Sequence, residues 1–359
     1  MFMGRRTRVA VTLAITSLSG FTQAAQFHFV ALGDTAYNPA HDYPVYERLI
    51  GAINASRPAF TIHVGDTWGV MTCTEEHHRD IRGWFDKYTH PVVYTPGDNE
   101  WTDCRHGNVL AAYSRYVTGQ ATADDLQLLG TVTSLDGGMA GAGYADTLAS
   151  LDTIRSVFFS EPKSLGGVTM PLTRQADVSD FDTMVENARW EKDGVVFATV
   201  HVPGSQNGFV INDARRAEEA IARNAANVAW IKDAFAAATA GEAAAVVIAL
   251  HAGMFGDAAG GEFANRELRG GIDGPFYWIA LAIRDLAQTF GKPVLLINGD
   301  FHEFVVDRPF FVSRGEAEMP QYGNVTRVQV YGAPELRAVR IDVDTDTPWV
   351  FSFSPLYLE

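Results

Sequence analysis

Four times along the chain an apolar, β-type run ends in Gly-Asp: Phe29 to Asp34, Thr61 to Asp66, Val93 to Asp98 and Leu295 to Asp300. A histidine, His251, closes a fifth apolar run (Ala244 to Leu250), and His302 follows Asp300 by two residues. A lone Gly-Asp after a strand is a common turn, because Asp tolerates turn conformations and hydrogen-bonds its own backbone. Four of them together with two histidines suggest more. Carboxylates gathered at one place repel one another unless positive charge sits among them. Two divalent cations would balance four carboxylates, and the histidines can bind as neutral ligands. The expected metal ligands are therefore Asp34, Asp66, Asp98, His251, Asp300 and His302.

The elements that must position these groups are legible in the spacing. Asp34, Asp66 and Asp98 follow one another at equal steps of thirty-two residues, the length of a strand, a crossover helix and a return loop. Helical apolar spacing lies between them, over Tyr43 to Ser56 and over Glu75 to Tyr88. Further helices are predicted from Asn212 onward and over Phe276 to Phe290. Strands alternating with helices imply an α/β protein with a mainly parallel sheet covered on both faces. In such sheets ligands bind beyond the carboxyl ends of the strands, where all four aspartates and His251 fall. Arg327 to Val330, Leu336 to Val343 and Trp349 to Phe353 read as antiparallel strands closing the fold. Gly119 to Ser164, rich in Gly, Ala and Thr, reads as an insertion in one domain spanning 26–359.

Order, spacing and strand-end placement over roughly Gln26 to Phe304 resemble the calcineurin-like metallophosphoesterases, the superfamily that includes purple acid phosphatases. The resemblance implies a double βαβ sandwich, with mixed sheets flanked by helices, holding two metal ions. It implies hydrolysis of phosphate mono- or diesters by a hydroxide generated at the metals. By position, Asp34 matches a ligand of one metal, Asp66 the bridging aspartate and His251 the strand-end histidine. Asp98 stands where the family has a ligand asparagine, with Glu100 at the acidic end of that motif. Asp300 and His302 stand for the two histidines of the last motif.

Three departures alter the site. Ala36 replaces the first-motif histidine, with Tyr37 beside it as a substitute ligand. Asp98 and Asp300 add oxygen charge, which shifts preference from zinc towards manganese, iron, magnesium or calcium. Asn99 replaces the histidine that assists the leaving group; it can hydrogen-bond an oxyanion but cannot act as a general acid. The expected catalytic residues are thus Asn99 and His201, the latter ending the Val195 to Val200 strand before Pro203-Gly204-Ser205. His63 reads as a core histidine, and His77, His78, His90 and His106 as surface residues. Arg105 and Arg155 are candidates for a phosphate oxygen. The alternative function is a metal-poor, inactive protein of this fold that binds a phosphate or sugar ligand.

The N-terminus and the charge complete the picture. Arg5, Arg6 and Arg8, the apolar run Val9 to Leu18, and small residues up to Ala25 read as a secretory signal peptide. The expected location is periplasmic or secreted, with no membrane anchor after cleavage. Export favours a disulfide between the only two cysteines, Cys73 and Cys104. A net charge of −15 argues against nucleic acid, which needs a basic footprint. The expected partner is a small phosphate ester, drawn in by bound cations that reverse the local field.

Overall fold

The computed structural model describes residues 26–69, 73–104, 115, 119–127, 146–210, 213–255, 274–310 and 323–358. The signal-peptide segment, Arg105, His106 and Asn212 lie outside them. Two mixed sheets face each other between two layers of helix, an α/β architecture.

The first sheet runs β12–β11–β1–β2–β3. Its parallel half is β1 (Gln26–Leu32), β2 (Thr61–His63) and β3 (Val92–Tyr94). Helices α1 (Pro39–Ser56) and α2 (Glu75–Phe85) supply the crossovers. Its antiparallel half is β11 (Ala338–Asp344), paired with β1 on one side and with β12 (Phe351–Leu356) on the other. The second sheet runs β4–β5–β6–β7–β8–β10–β9. Here β6 (Val195–Thr199), β7 (Ala245–Ala249), β8 (Val294–Asn298) and β10 (Val325–Gln329) are parallel neighbours. Two antiparallel edges flank them: β4 (Thr173–Arg174) with β5 (Ala188–Lys192), and β9 (Val305–Asp307). The expected antiparallel strand at Arg327 to Val330 is therefore corrected: it runs parallel to β8 and is antiparallel only to β9.

Side-chain alternation assigns each strand face to a layer. In β7, Ala245, Val247 and Ala249 join Phe29, Ala31, Ile62, Val339 and Ile341 in the cluster between the sheets. Val246 and Ile248, one residue out of phase, pack under α4 (Ala214–Ala240) and α5 (Tyr277–Phe290) with Trp230, Ile231, Ile279 and Ile283. On the far face of the first sheet, Val30 and Leu32 meet Leu49, Ile53, Ile81 and Phe85. Strands buried on both faces read as continuous apolar runs, as AVVIA and VLLIN do.

Within the segment read as an insertion, α3 (Thr147–Phe158) buries Leu151, Ile154 and Phe158 in that same cluster. It also covers α2, with Ser150 Oγ 3.2 Å from His78 Nε2. His78 is completely buried and His90 nearly so, which corrects their expected surface positions. His90 bonds Thr61 Oγ1 at 2.7 Å. His63 is buried against Phe85 and Tyr94. Cys73 and Cys104 form a disulfide. Among the described residues no helix is long and apolar enough to cross a membrane.

Candidate metal centre

The carboxyl ends of the parallel strands of both sheets converge on one point. The first sheet delivers Asp34, Asp66 and Asp98 on the turns after β1, β2 and β3. The second delivers His251 after β7, and Asp300 and His302 after β8. These turns interlock through their backbones: Asp34 N–H donates to Gly65 O (3.0 Å) and Thr35 N–H to Asp66 O (3.0 Å). Asp300 N–H donates across the sheets to Asp34 Oδ1 at 2.9 Å. Gly65, at φ 98°, brings its turn against the backbone of Gly97, and neither position leaves room for a Cβ. Asp34, Asp66, Asp300 and His302 all hold left-handed backbone, with φ of 52°, 53°, 81° and 61°. Such conformations cluster where surrounding structure enforces them at functional sites.

Two triplets of ligand-type side chains have donor atoms within 4.8 Å of one another: Asp34, Asp66 and His251, and Asp98, His251 and Asp300. His251 belongs to both. Its Nδ1 lies 2.8 Å from Val64 O, a partner that only an N–H can satisfy. Nε2 therefore faces the carboxylates, 2.9 Å from Asp98 Oδ1 and 3.5 Å from Asp66 Oδ1. His302 repeats the device: Nδ1 donates to Ala333 O at 2.7 Å, leaving Nε2 3.6 Å from Asp34 Oδ1. A histidine whose far nitrogen is fixed by a carbonyl is pre-oriented to offer the other to a metal.

The electrostatics are those of crowded, buried acids. Burial pushes the Asp34 carboxyl up to about 8. Burial and the Asp98 charge push Asp300 up to about 6 and hold Asp66 well above the usual range. Burial works most strongly against ionised Asp98, but the hydrogen bond and charge of His251 and the Ser205 hydrogen bond together keep it below the usual range. His251 is disfavoured as a cation by burial, yet Asp66, Asp98 and Asp34 carry it well above an ordinary histidine. Burial lowers His302. Asp34 Oδ2, Asp98 Oδ1 and His251 Nε2 are buried with no other hydrogen-bond partner. Buried polar atoms of this kind require a partner, and here the atoms left over are all lone-pair donors. The residues present fit a cation-binding centre.

Other residues orient this set. Glu100 is fully buried and accepts from four donors: Asp66 N (3.2 Å), Gly97 N (3.0 Å), Thr67 N (2.8 Å) and Thr67 Oγ1 (3.0 Å). It ties the turns after β2 and β3 together. Asn99 spends both amide hydrogens, on Asp66 Oδ2 (2.7 Å) and Trp68 O (2.9 Å), and its N–H on Asp66 Oδ1 (3.0 Å). Tyr37 reaches the centre from the position after Ala36: its hydroxyl donates to Asp66 Oδ2 at 2.7 Å and stands 3.1 Å from His302 Nε2. Burial and the neighbouring Asp66 and Asp34 charges raise the Tyr37 phenol well above its ordinary value.

His201 is placed differently. Its Nδ1 meets Glu186 Oε1 at 2.8 Å, and its ring lies 5.5 Å from that of Trp101. No hydrogen bond or ion pair of the described residues links its ring to the carboxylates. Arg155 pairs with the same Glu186 at 2.9 Å. Ser205, not singled out by type, donates to the site: Oγ lies 2.8 Å from Asp98 Oδ2 and 2.9 Å from Asp103 Oδ2. The signal that could have found it is its place on the turn following a strand-end histidine.

No family model matches the chain, and no curated protein matches it. Seven chains of solved structures do. One is GAP50, the anchor in the inner membrane complex of Plasmodium, at 10% identity and TM-score 0.40, covering 93% of this chain and 89% of that one. Another is PhoD, at 9% identity and TM-score 0.45, covering 92% of this chain and 68% of that one.

Proposed function

We propose that the protein is an exported, metal-dependent phosphoesterase that hydrolyses small phosphate mono- or diesters at a two-cation site. The observation that carries this is the meeting of His251 Nε2 and Asp98 Oδ1 at 2.9 Å, buried and without other partners. Asp34, Asp66 and Asp300 crowd round them. Protons or cations must occupy that space, and the strand-end donor set suits two cations. The disulfide supports an oxidising compartment.

In this reading Asp34 and His302 would hold one cation and Asp98, His251 and Asp300 the other, with Asp66 available to either. When bound, such a pair lowers the pKa of water towards neutrality and neutralises phosphoryl charge. The protein's own part is orientation. Val64 O and Ala333 O fix the two imidazoles, and Tyr37 and Asn99 both donate to Asp66 Oδ2. Glu100 locks the two Gly-Asp turns. With its hydrogens committed, Asn99 positions Asp66, and His201, fully buried, is bound through Nδ1 to Glu186. The oxygen-rich donor set favours manganese, iron, magnesium or calcium over zinc.

The test couples metal analysis to hydrolysis of an aryl monophosphate and a bis-aryl diester, with and without chelator, in wild type and Asp66→Asn. Two metal equivalents, chelator-sensitive turnover and a loss of at least about a hundredfold in Asp66→Asn, with unchanged circular dichroism, are expected. Metal-free protein with chelator-insensitive turnover, or near-normal rates in the variant, would overturn it. Metal-free and inactive protein would instead favour a binding role for a phosphate or sugar ligand.

A further inference from the structure

The turn after His201 holds a conformation that its sequence alone does not favour. Ser205, Gln206, Asn207 and Gly208 have φ of 47°, 59°, 55° and 69°, a complete left-handed turn in which only the last residue is glycine. L-residues resist this conformation because Cβ crowds the following carbonyl, and runs of them persist only where neighbours impose them.

The neighbour here is Arg223. Its NH1 donates to Asn207 Oδ1 (2.5 Å) and its NH2 to Asn207 O (2.8 Å). Glu219 holds the same guanidinium at 2.8 and 3.0 Å. It sits 5.2 Å from the ring of Trp101, on the segment that carries Asp98. Arg223 is fully buried. Asn207 is pinned from its other side, donating to Asn224 Oδ1 at 2.7 Å.

What the turn delivers is Ser205. The Ser205 hydroxyl lies 2.8 Å from Asp98 Oδ2, on the carboxylate oxygen opposite the one that faces His251, and 2.9 Å from Asp103 Oδ2, so the two acids share its single hydrogen. Gly204, just before it, lies against Asp98 Oδ1 and both oxygens of Asp300, so that a Cβ would come within about 3 Å of each. A carboxylate with one oxygen capped in this way presents the other in a single direction.

We propose that the Arg223–Asn207 clamp and the left-handed turn form a positioning device, with Ser205 as the residue that orients Asp98 towards the cation held by Asp98, His251 and Asp300. This rests on the two-cation reading above. It adds that the turn after β6, which contributes no ligand of its own, sets the affinity of one cation and not of the other.

The experiment is calorimetric titration of Mn2+ into the metal-free full chain. Wild type, Ser205→Ala, Arg223→Lys and the double variant are compared, with circular dichroism and melting to check the fold. Ser205→Ala removes one part-exposed oxygen and leaves the fold intact. The expected result is two binding events, one weakened about ten- to hundredfold in each single variant and the other unchanged. The double variant should be no weaker than Arg223→Lys alone, because both changes act through the same hydroxyl. Wild-type affinities in Ser205→Ala, equal weakening of both events, or additive losses in the double variant would overturn the proposal while leaving the two-cation site standing. Wild type that takes up no Mn2+ would remove both.

Discussion

Cation binding to this centre should expel protons, and the number follows from the acids it contains. Without cations, Asp34 titrates at about 8 and Asp300 at about 6. At pH 7 the first is about nine-tenths protonated and the second about one-tenth, so the pair holds about one proton. Asp66 and His251, both held well above their ordinary values, each add up to one more. Ligands must be deprotonated to bind, so Mn2+ should release between about one and three protons at pH 7. Its affinity should then rise about tenfold or more for each pH unit between 6 and 8.

The sign extends to stability. Asp34 and Asp300 bind protons more tightly folded than unfolded, so in metal-free protein this contribution is present at low pH. It is lost as pH climbs from about 4 to about 8. Cations remove that penalty, and the gain in melting temperature on adding Mn2+ should be larger at pH 8 than at pH 6. Calorimetry in two buffers of different ionisation enthalpy counts the protons directly. Zero release, or an affinity flat from pH 6 to 8, would refute the assignment of these acids as ligands.

Replacing both Cys73 and Cys104 by serine opens a bridge across a sequence separation of 31 and should cost about 3.5–4 kcal/mol in urea unfolding. Burial lowers His78 to about 4, so unfolding takes up a proton below about 6.5 and stability falls as pH drops from there towards 4. In His78→Leu, about 2 kcal/mol of the loss between pH 7 and pH 5 should disappear, read from denaturant midpoints at the two values. Glu100→Gln turns one acceptor oxygen into a donor facing backbone N–H groups, and should cost about 2–4 kcal/mol and weaken Mn2+ uptake. An unchanged midpoint would show that Glu100 is not what locks the turns.

Much of this was legible because strand ends announce themselves. An apolar run stopping at Gly-Asp marks a carboxyl edge, and equal spacing makes three such edges neighbours in one sheet. What escaped depends on elements distant in sequence. His77 and His78 are adjacent on α2, and only α3, some seventy residues later, decides that His78 is the covered one. The direction of β10 was misread because parallel and antiparallel strands share the same alternation; the connection, not the residues, sets it. His201 and His251 end neighbouring strands and look alike in sequence. Glu186, arriving beside His201 from the end of the loop before β5, takes up His201 Nδ1 at 2.8 Å, a contact that no local pattern announces.

On the proposed reading, the residues by which the chain differs from the metallophosphoesterase pattern it resembles act together rather than singly. Ala36 removes a nitrogen ligand beside Asp34, and Tyr37 brings a hydroxyl to within 2.7 Å of Asp66 and 3.1 Å of His302. Asp98 and Asp300 offer carboxylate oxygens at the positions that the resemblance aligns with an amide and an imidazole. Only His251 and His302 remain as nitrogen donors among the proposed ligands, each fixed by a backbone carbonyl. A centre altered at one ligand would have weakened its grip on the same metal. On the proposed reading, a centre with charged or hydroxyl oxygen at several positions suits a harder metal. The added negative charge also requires that cations be bound before an anionic ester can approach. On the proposed reading, that makes metal loading the step on which substrate binding depends.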